Sequence, residues 1–320
     1  MPFIGTRKYP KGPDLKRLEH HRITASGTEV DFLAPKHNNG GIPANPVKPV
    51  IMNLYEAGLF GRYDEQDLAE PPSSGVALKY WEFTGLPVVD GTGELGDMMF
   101  HVTISDMYEF QSLFRSRNLE CAIERIIYAS PHGYCNPGEC RKNWQVRVIN
   151  GTQWVSYQST GYAGFRNAEE CYETVWHTPI TDQHLLTVRF DQVIRKKRTR
   201  LAEVYEKIID LVMGSVKIQL SSDAKAQQAY IKQLYPDERL SEYLPPYQFE
   251  EIELLEELDL INLVSAENNH DLSIPDDIFD AQVQQKDQEQ RRRAEETRSK
   301  ILASHLRFKA PKEDSDPLNG

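Results

Sequence analysis

Three groups of residues carry side chains that could do chemistry. The first is the run His132-Gly-Tyr-Cys135-Asn-Pro-Gly-Glu-Cys140. Thiolates and imidazoles are zinc ligands, but a structural zinc site closes a tetrahedron, usually from two tight Cys or His pairs. One such pair, Cys135 with Cys140, is spelled out here, and Cys121 or His132 could complete a set. In an oxidising compartment Cys135 and Cys140 would instead close a small disulfide around the Asn136-Pro137-Gly138 turn, with Cys121 to Cys171 as a second. In the cytoplasm all four are expected as partly buried thiols.

The second group is His177, Asp182 and His184, an imidazole–carboxylate–imidazole set that could serve acid–base or metal chemistry. These residues surround an expected hairpin, whose ends are ordinarily polar, and no fourth group is indicated. Gly91, Gly93 and Gly96 superficially suggest a phosphate cradle. A strand pattern follows them rather than a helix, so no helix N-terminus is there to receive an anion, and a turn is expected. Gly-x-Ser-x-Gly, His-Glu-x-x-His and a phosphate-binding glycine loop are all absent from the sequence. Glu120 and Glu124 are carboxylates that nothing sets across a substrate. The expectation is a non-catalytic protein with no cofactor. The alternative is a hydrolase or metal-dependent enzyme using His132, Cys135 and Cys140, or His177, Asp182 and His184.

The third group suits binding rather than catalysis. Tyr243, Tyr247 and Phe249 stand beside Pro245 and Pro246, and Glu250, Glu253 and Glu257 follow. Buried aromatics dominate interface energies, so this cluster is the candidate contact with a protein partner. The competing reading packs it onto the chain's own sheet.

A formal net charge of −11 repels a phosphate backbone and excludes nucleic acid as the expected ligand. Arg195, Lys196, Lys197, Arg198 and Arg200 form the one dense basic run, read as a solvated connector. No apolar run approaches the ~20 residues that span a bilayer, so no membrane insertion is expected. The N-terminal residues lack the apolar stretch of a secretory signal, which predicts a cytoplasmic protein, or a periplasmic one if a leader has been removed.

The elements that position these groups follow from periodicity. Val30 and Phe32 alternate after a Ser26-Gly27 turn, and Met98, Phe100, Val102 and Ile104 alternate cleanly. Trp144, Val146 and Val148 lead to Asn150-Gly151, a strong hairpin signal, with Trp154 and Tyr157 beyond it. Tyr172–Trp176 and Leu185–Phe190 form the next hairpin. Leu201, Val204, Tyr205, Ile208, Ile209 and Val212 recur at helical spacing, with Gly214 placed as a C-terminal cap, and Val216, Ile218 and Leu220 alternate after it. The expected class is α+β: a twisted antiparallel sheet covered by helices on one face, with a charged helical C-terminal extension. The expected division is an irregular arm over 1–22, a sheet domain over 23–221, and a helical extension over 222–320 with a disordered tail.

The stretch Trp176–Phe190, the helix from Thr199 and the closing Gly-Ser-Val-Lys-Ile-Gln-Leu220 resemble the late core of some immunity proteins of bacterial type VI secretion systems. The fold of those proteins is similar to the Mog1/PsbP group, and the resemblance spans residues 144–220. It implies stoichiometric binding to a cognate effector toxin, with occlusion of the toxin's active site and no catalytic residue of its own. A structural component of a phage or secretion particle is the remaining reading. The non-catalytic expectation predicts that purified protein retains no stoichiometric zinc after dialysis; zinc that survives, measured by elemental analysis, would favour the enzyme.

Overall fold

A computed structural model describes residues 5–38, 48–56, 58–60, 71–86, 93–108, 110–129, 139–160, 170–196, 198–245 and 247–248. In chain order its elements begin with strands β1 (Leu18–Ala25), β2 (Thr28–Pro35), β3 (Val50–Met52), β4 (Ser73–Thr84) and β5 (Glu94–Asp106). Helix α1 (Ser116–Ala129) precedes β6 (Glu139–Cys140), β7 (Lys142–Ile149), β8 (Thr152–Thr160), β9 (Glu170–Pro179) and β10 (His184–Ile194). Helix α2 (Leu201–Ser215), β11 (Lys217–Gln219), helix α3 (Ser222–Leu234) and β12 (Tyr247–Gln248) complete the set. Two sheets dominate, one ordered β11-β2-β1-β3 and the other β4-β5-β10-β9-β8-β7; β6 and β12 form a two-residue pair.

The tight turns lie where the sequence places them. Ser26 and Gly27 joining β1 to β2 have φ of 46° and 82°, and Asn150 and Gly151 joining β7 to β8 have 49° and 82°. Left-handed backbone at both central residues matches the twist of the flanking strands. β1 begins at Leu18, inside the stretch expected to be irregular, because β2 extends far enough to pair Pro35 with Leu18.

The six-stranded sheet is the middle layer. One face carries Trp81, Met98, Phe100, Val102, Trp176, Leu186, Val188 and Phe190, packed against Ile23, Val30 and Phe32 of the smaller sheet and against Leu201, Tyr205, Ile208 and Val212 of α2. Phe100 is the aromatic hub, with ring centroids 5.2 Å from Phe190, 5.6 Å from Phe32 and 5.9 Å from Trp81. The other face carries Val155, Tyr157, Val175 and Leu185 beneath Leu119, Ala122, Ile123 and Ile127 of α1. Helices therefore lie on both faces, not one. The missed helix α1 repeats its apolar positions at three- and four-residue intervals among Arg and Glu, as a half-covered helix does.

Other expectations are corrected locally. Gly214 is not a cap: α2 continues through it to Ser215 and stops at Val216. The Ser215 hydroxyl fixes that end by accepting from the Leu33 amide at 2.8 Å. Arg195 is no solvated connector, since its guanidinium is 2.6 Å from both Glu94 and the buried Asp97 carboxylate. Cys121 is buried on α1, Cys171 stands on β9, and neither is in a disulfide. Truncating the hub, Phe100→Ala, is expected to cost about 3–5 kcal/mol in urea denaturation, as for a well-packed core aromatic; a loss of a few tenths would contradict this packing.

Candidate interaction surface

The pairing of β9 with β10 decides what His177 and His184 can do. Residues opposite one another in an antiparallel ladder share a face, and His177 is opposite Thr187. His184 lies an odd number of positions from Thr187, so it points to the other face. His177 Nδ1 is 2.9 Å from Thr187 Oγ1, and its ring stacks on Tyr157 at 5.6 Å, on the side covered by α1. His177 Nε2 is buried without a hydrogen-bond partner among the described residues. Burial lowers its pKa to about 3. The expected His177–Asp182–His184 set is thus divided by the thickness of a sheet, and its two imidazoles share neither proton nor metal.

His184 instead anchors a corner where three loops meet. Its Nδ1 is 2.7 Å from Thr181 Oγ1, and it hydrogen-bonds the backbone of Leu54. Burial lowers its pKa to about 4, so it is neutral at ordinary pH. Phe60 stacks on it at 5.4 Å and Tyr55 meets it edge-on at 5.3 Å. The Tyr55 loop is held from below: Leu54 is buried, its amide donates to Ser26 Oγ at 2.8 Å, and Asn53 Oδ1 accepts from the Tyr55 amide at 3.2 Å.

The adjoining turn is equally tied. Thr181 Oγ1 accepts from the amides of Gln183 and His184 at 3.2 and 3.0 Å. Gln227 of α3 accepts from the Asp182 amide at 3.3 Å. The start of α3 is capped by Ser221, whose hydroxyl accepts from Ala224 N, and the Ser221 amide donates to Thr28 of the first hairpin. Tyr55 nevertheless remains 61% exposed. Asp106 lies opposite His184 in the ladder, and Asp223 sits one helical turn before Gln227. Burial, then Asp182, Asp223 and Asp106, raise the Tyr55 phenol above its ordinary pKa, and a hydrogen bond with Thr181 opposes them. Burial likewise raises Asp182 and Asp106, against hydrogen bonds from neighbouring amides. The arrangement offers an immobilised aromatic surface amid carboxylates, which suits recognition.

Of the residues expected to form the partner contact, Tyr243 is the one whose side chain is described. Tyr243 is 71% exposed, but its segment is fastened to the chain's own sheet. Trp144 Nε1 donates to Ser241 O at 2.7 Å, Arg141 Nη2 donates to Pro245 O at 2.8 Å, and Glu120 accepts from the Ser241 amide. Arg115 pairs with Glu238 at 2.9 Å and covers the Tyr235 ring at 4.1 Å, while Leu240 is buried beside α1. Tyr247 pairs through its backbone with Cys140. The side chains of Tyr247 and Cys140, and all of Phe249, Glu250, Glu253, Glu257, His132 and Cys135, lie outside the described residues. Among the described residues no group of three or more His, Cys, Asp or Glu side chains could hold a metal.

Tyr55, Phe60, Asp106 and Asp223 escaped the sequence reading. Their one local signal is a pair of aromatics in a Gly58-containing turn, and nothing in the order of residues shows that β10 and α3 meet them.

The buried imidazoles generate a pH dependence. His21 (about 4), His177 (about 3) and His184 (about 4) regain the ordinary 6.5 on unfolding, so the unfolded chain binds more protons between those values. Stability from each is intact above 6.5 and falls as pH drops through that window. Glu173, raised by burial to about 7 despite Arg189, acts in the opposite sense, so the effect is read by difference. The loss of Tm between about pH 7 and about pH 5 is expected to be smaller in His177→Phe than in the unmodified chain; equal losses would contradict a neutral buried His177.

No family model matches the chain, and no curated protein matches it. Among solved structures, the solution structure of cyanobacterial PsbP (CyanoP) from Synechocystis sp. PCC 6803 is similar over 68% of this chain and 97% of that chain, with 14% identity and a TM-score of 0.29.

Proposed function

We propose that this chain is a non-catalytic protein-binding protein, an immunity protein that neutralises a bacterial type VI secreted toxin by direct contact. The observation that carries the binding reading is Tyr55, an aromatic side chain 61% exposed yet positioned by His184 and Thr181. An aromatic already ordered before binding loses little conformational freedom in an interface, which is why such residues act as anchors. The toxin-directed part of the reading draws on the sequence resemblance across residues 144–220.

Neutralisation in this account is stoichiometric. The chain needs no turnover, only a complementary surface that covers the toxin's catalytic site and stays bound. A layered core with both sheet faces packed supplies the rigidity such occlusion requires. Co-expression with the product of the adjacent gene is expected to yield a 1:1 complex by size-exclusion chromatography with light scattering, and loss of that protein's toxicity. Absence of a complex, or undiminished toxicity within one, would overturn the reading.

A further inference from the structure

We infer that the corner formed by Tyr55, Asp106, Asp182 and Asp223 receives a basic side chain of the protein partner, with its cation against the Tyr55 ring and the carboxylates around it. The inference rests on the protein-binding reading and adds the chemistry of what is bound. An aromatic ring attracts a cation through its negative face, and the attraction strengthens when carboxylates share the charge. Arginine suits both, since its planar guanidinium stacks on a ring while its donors reach carboxylate oxygens.

Among the described residues, this corner meets these requirements. The Tyr55 ring is mostly in solvent and is braced edge-on by His184. His184 is kept neutral by burial, so the brace adds no repelling charge. The charged groups acting most strongly on the Tyr55 phenol are all carboxylates, Asp182, Asp223 and Asp106. These come from three elements whose relative placement is fixed by the Asp182–Gln227 and Ser221–Thr28 hydrogen bonds and by the pairing of Asp106 with His184. A net charge of −11 would further draw a basic partner toward the chain.

The test uses the full chain and a fluorescent peptide bearing two arginines between glycines, with a citrulline version as the uncharged isostere. Fluorescence anisotropy is expected to show weak, salt-sensitive binding of the arginine peptide and a loss of about tenfold or more with citrulline. Tyr55→Ala is expected to weaken arginine-peptide binding about tenfold, and Asp182→Asn with Asp223→Asn by a similar factor. Tyr55→Phe, which keeps the ring, retains binding. Glu242→Gln removes an exposed carboxylate elsewhere and is expected to leave it unchanged. Equal affinities for Tyr55→Ala and the unmodified chain would overturn the inference, as would a Glu242→Gln loss as large as that of the Asp182/Asp223 pair. The toxin complex separates the two readings: a complex that forms equally well with Tyr55→Ala retains the immunity reading and rejects this one. Specific peptide binding without any toxin complex does the reverse.

Discussion

Strand β10 has to satisfy two cores at once. It runs through the middle of the six-stranded sheet between β5 and β9, so neither of its faces is free to be uniformly polar. Leu186, Val188 and Phe190 enter the layer shared with the smaller sheet and α2, whereas Leu185 joins the cluster under α1. The strict two-residue period of a strand leaves no freedom in this assignment, because a one-residue slip would exchange the faces. Phe190 would leave its contact with Phe100, and the polar residues Arg189 and Asp191 would enter the aromatic layer. Two apolar cores thus lock one register, and that register decides the faces of β5 and β9 in turn.

The chemistry of the molecule follows from that lock. His177 and His184 are close in sequence but are sent to opposite faces, each desolvated and neutral in a different setting. Farther along the α1 side of the same strand the face becomes charged: Arg189 lies 3.4 Å from Asp191 and 3.6 Å from Glu173, and His101 lies 3.4 Å from Asp191. At the opposite end β10 starts at a turn whose polar groups are committed to holding loops together. Thr181 and His184 bind the Tyr55 loop, and Asp182 binds α3 through Gln227. Tyr55 and Asp223 remain exposed there, with Asp106 and Asp182 half-buried beside the same turn.

Residues whose partners lie on their own strand or helix were legible in the sequence. The alternation of Met98, Phe100, Val102 and Ile104, the helical spacing from Leu201 to Val212, and the Asn150-Gly151 turn all act over a few residues, and each has the expected structure. Lys79 shows where local reading fails. It interrupts the apolar face of β4 yet is only 1% exposed, because its ammonium meets Glu19 of β1 at 2.6 Å. No property of residues around Lys79 announces that partner, which belongs to the other sheet. The Tyr55 corner was hidden for the same reason, since Tyr55, Asp106, Asp182 and Asp223 are brought together only by tertiary packing. Proximity in sequence was also misleading for His177 and His184, where the parity of the ladder outweighed a separation of a few residues.

The proposed partner surface is this corner, where Tyr55 stands exposed against His184. Hydroxyl-radical footprinting of the complex with the proposed partner tests this most directly, because exposed tyrosines spread across the molecule report separately. Tyr55, Tyr230 and Tyr243 are 61%, 61% and 71% exposed. The account predicts that Tyr55 loses its reactivity on binding while Tyr230 and Tyr243 keep theirs. Protection of Tyr230 or Tyr243 with Tyr55 still fully reactive would contradict it.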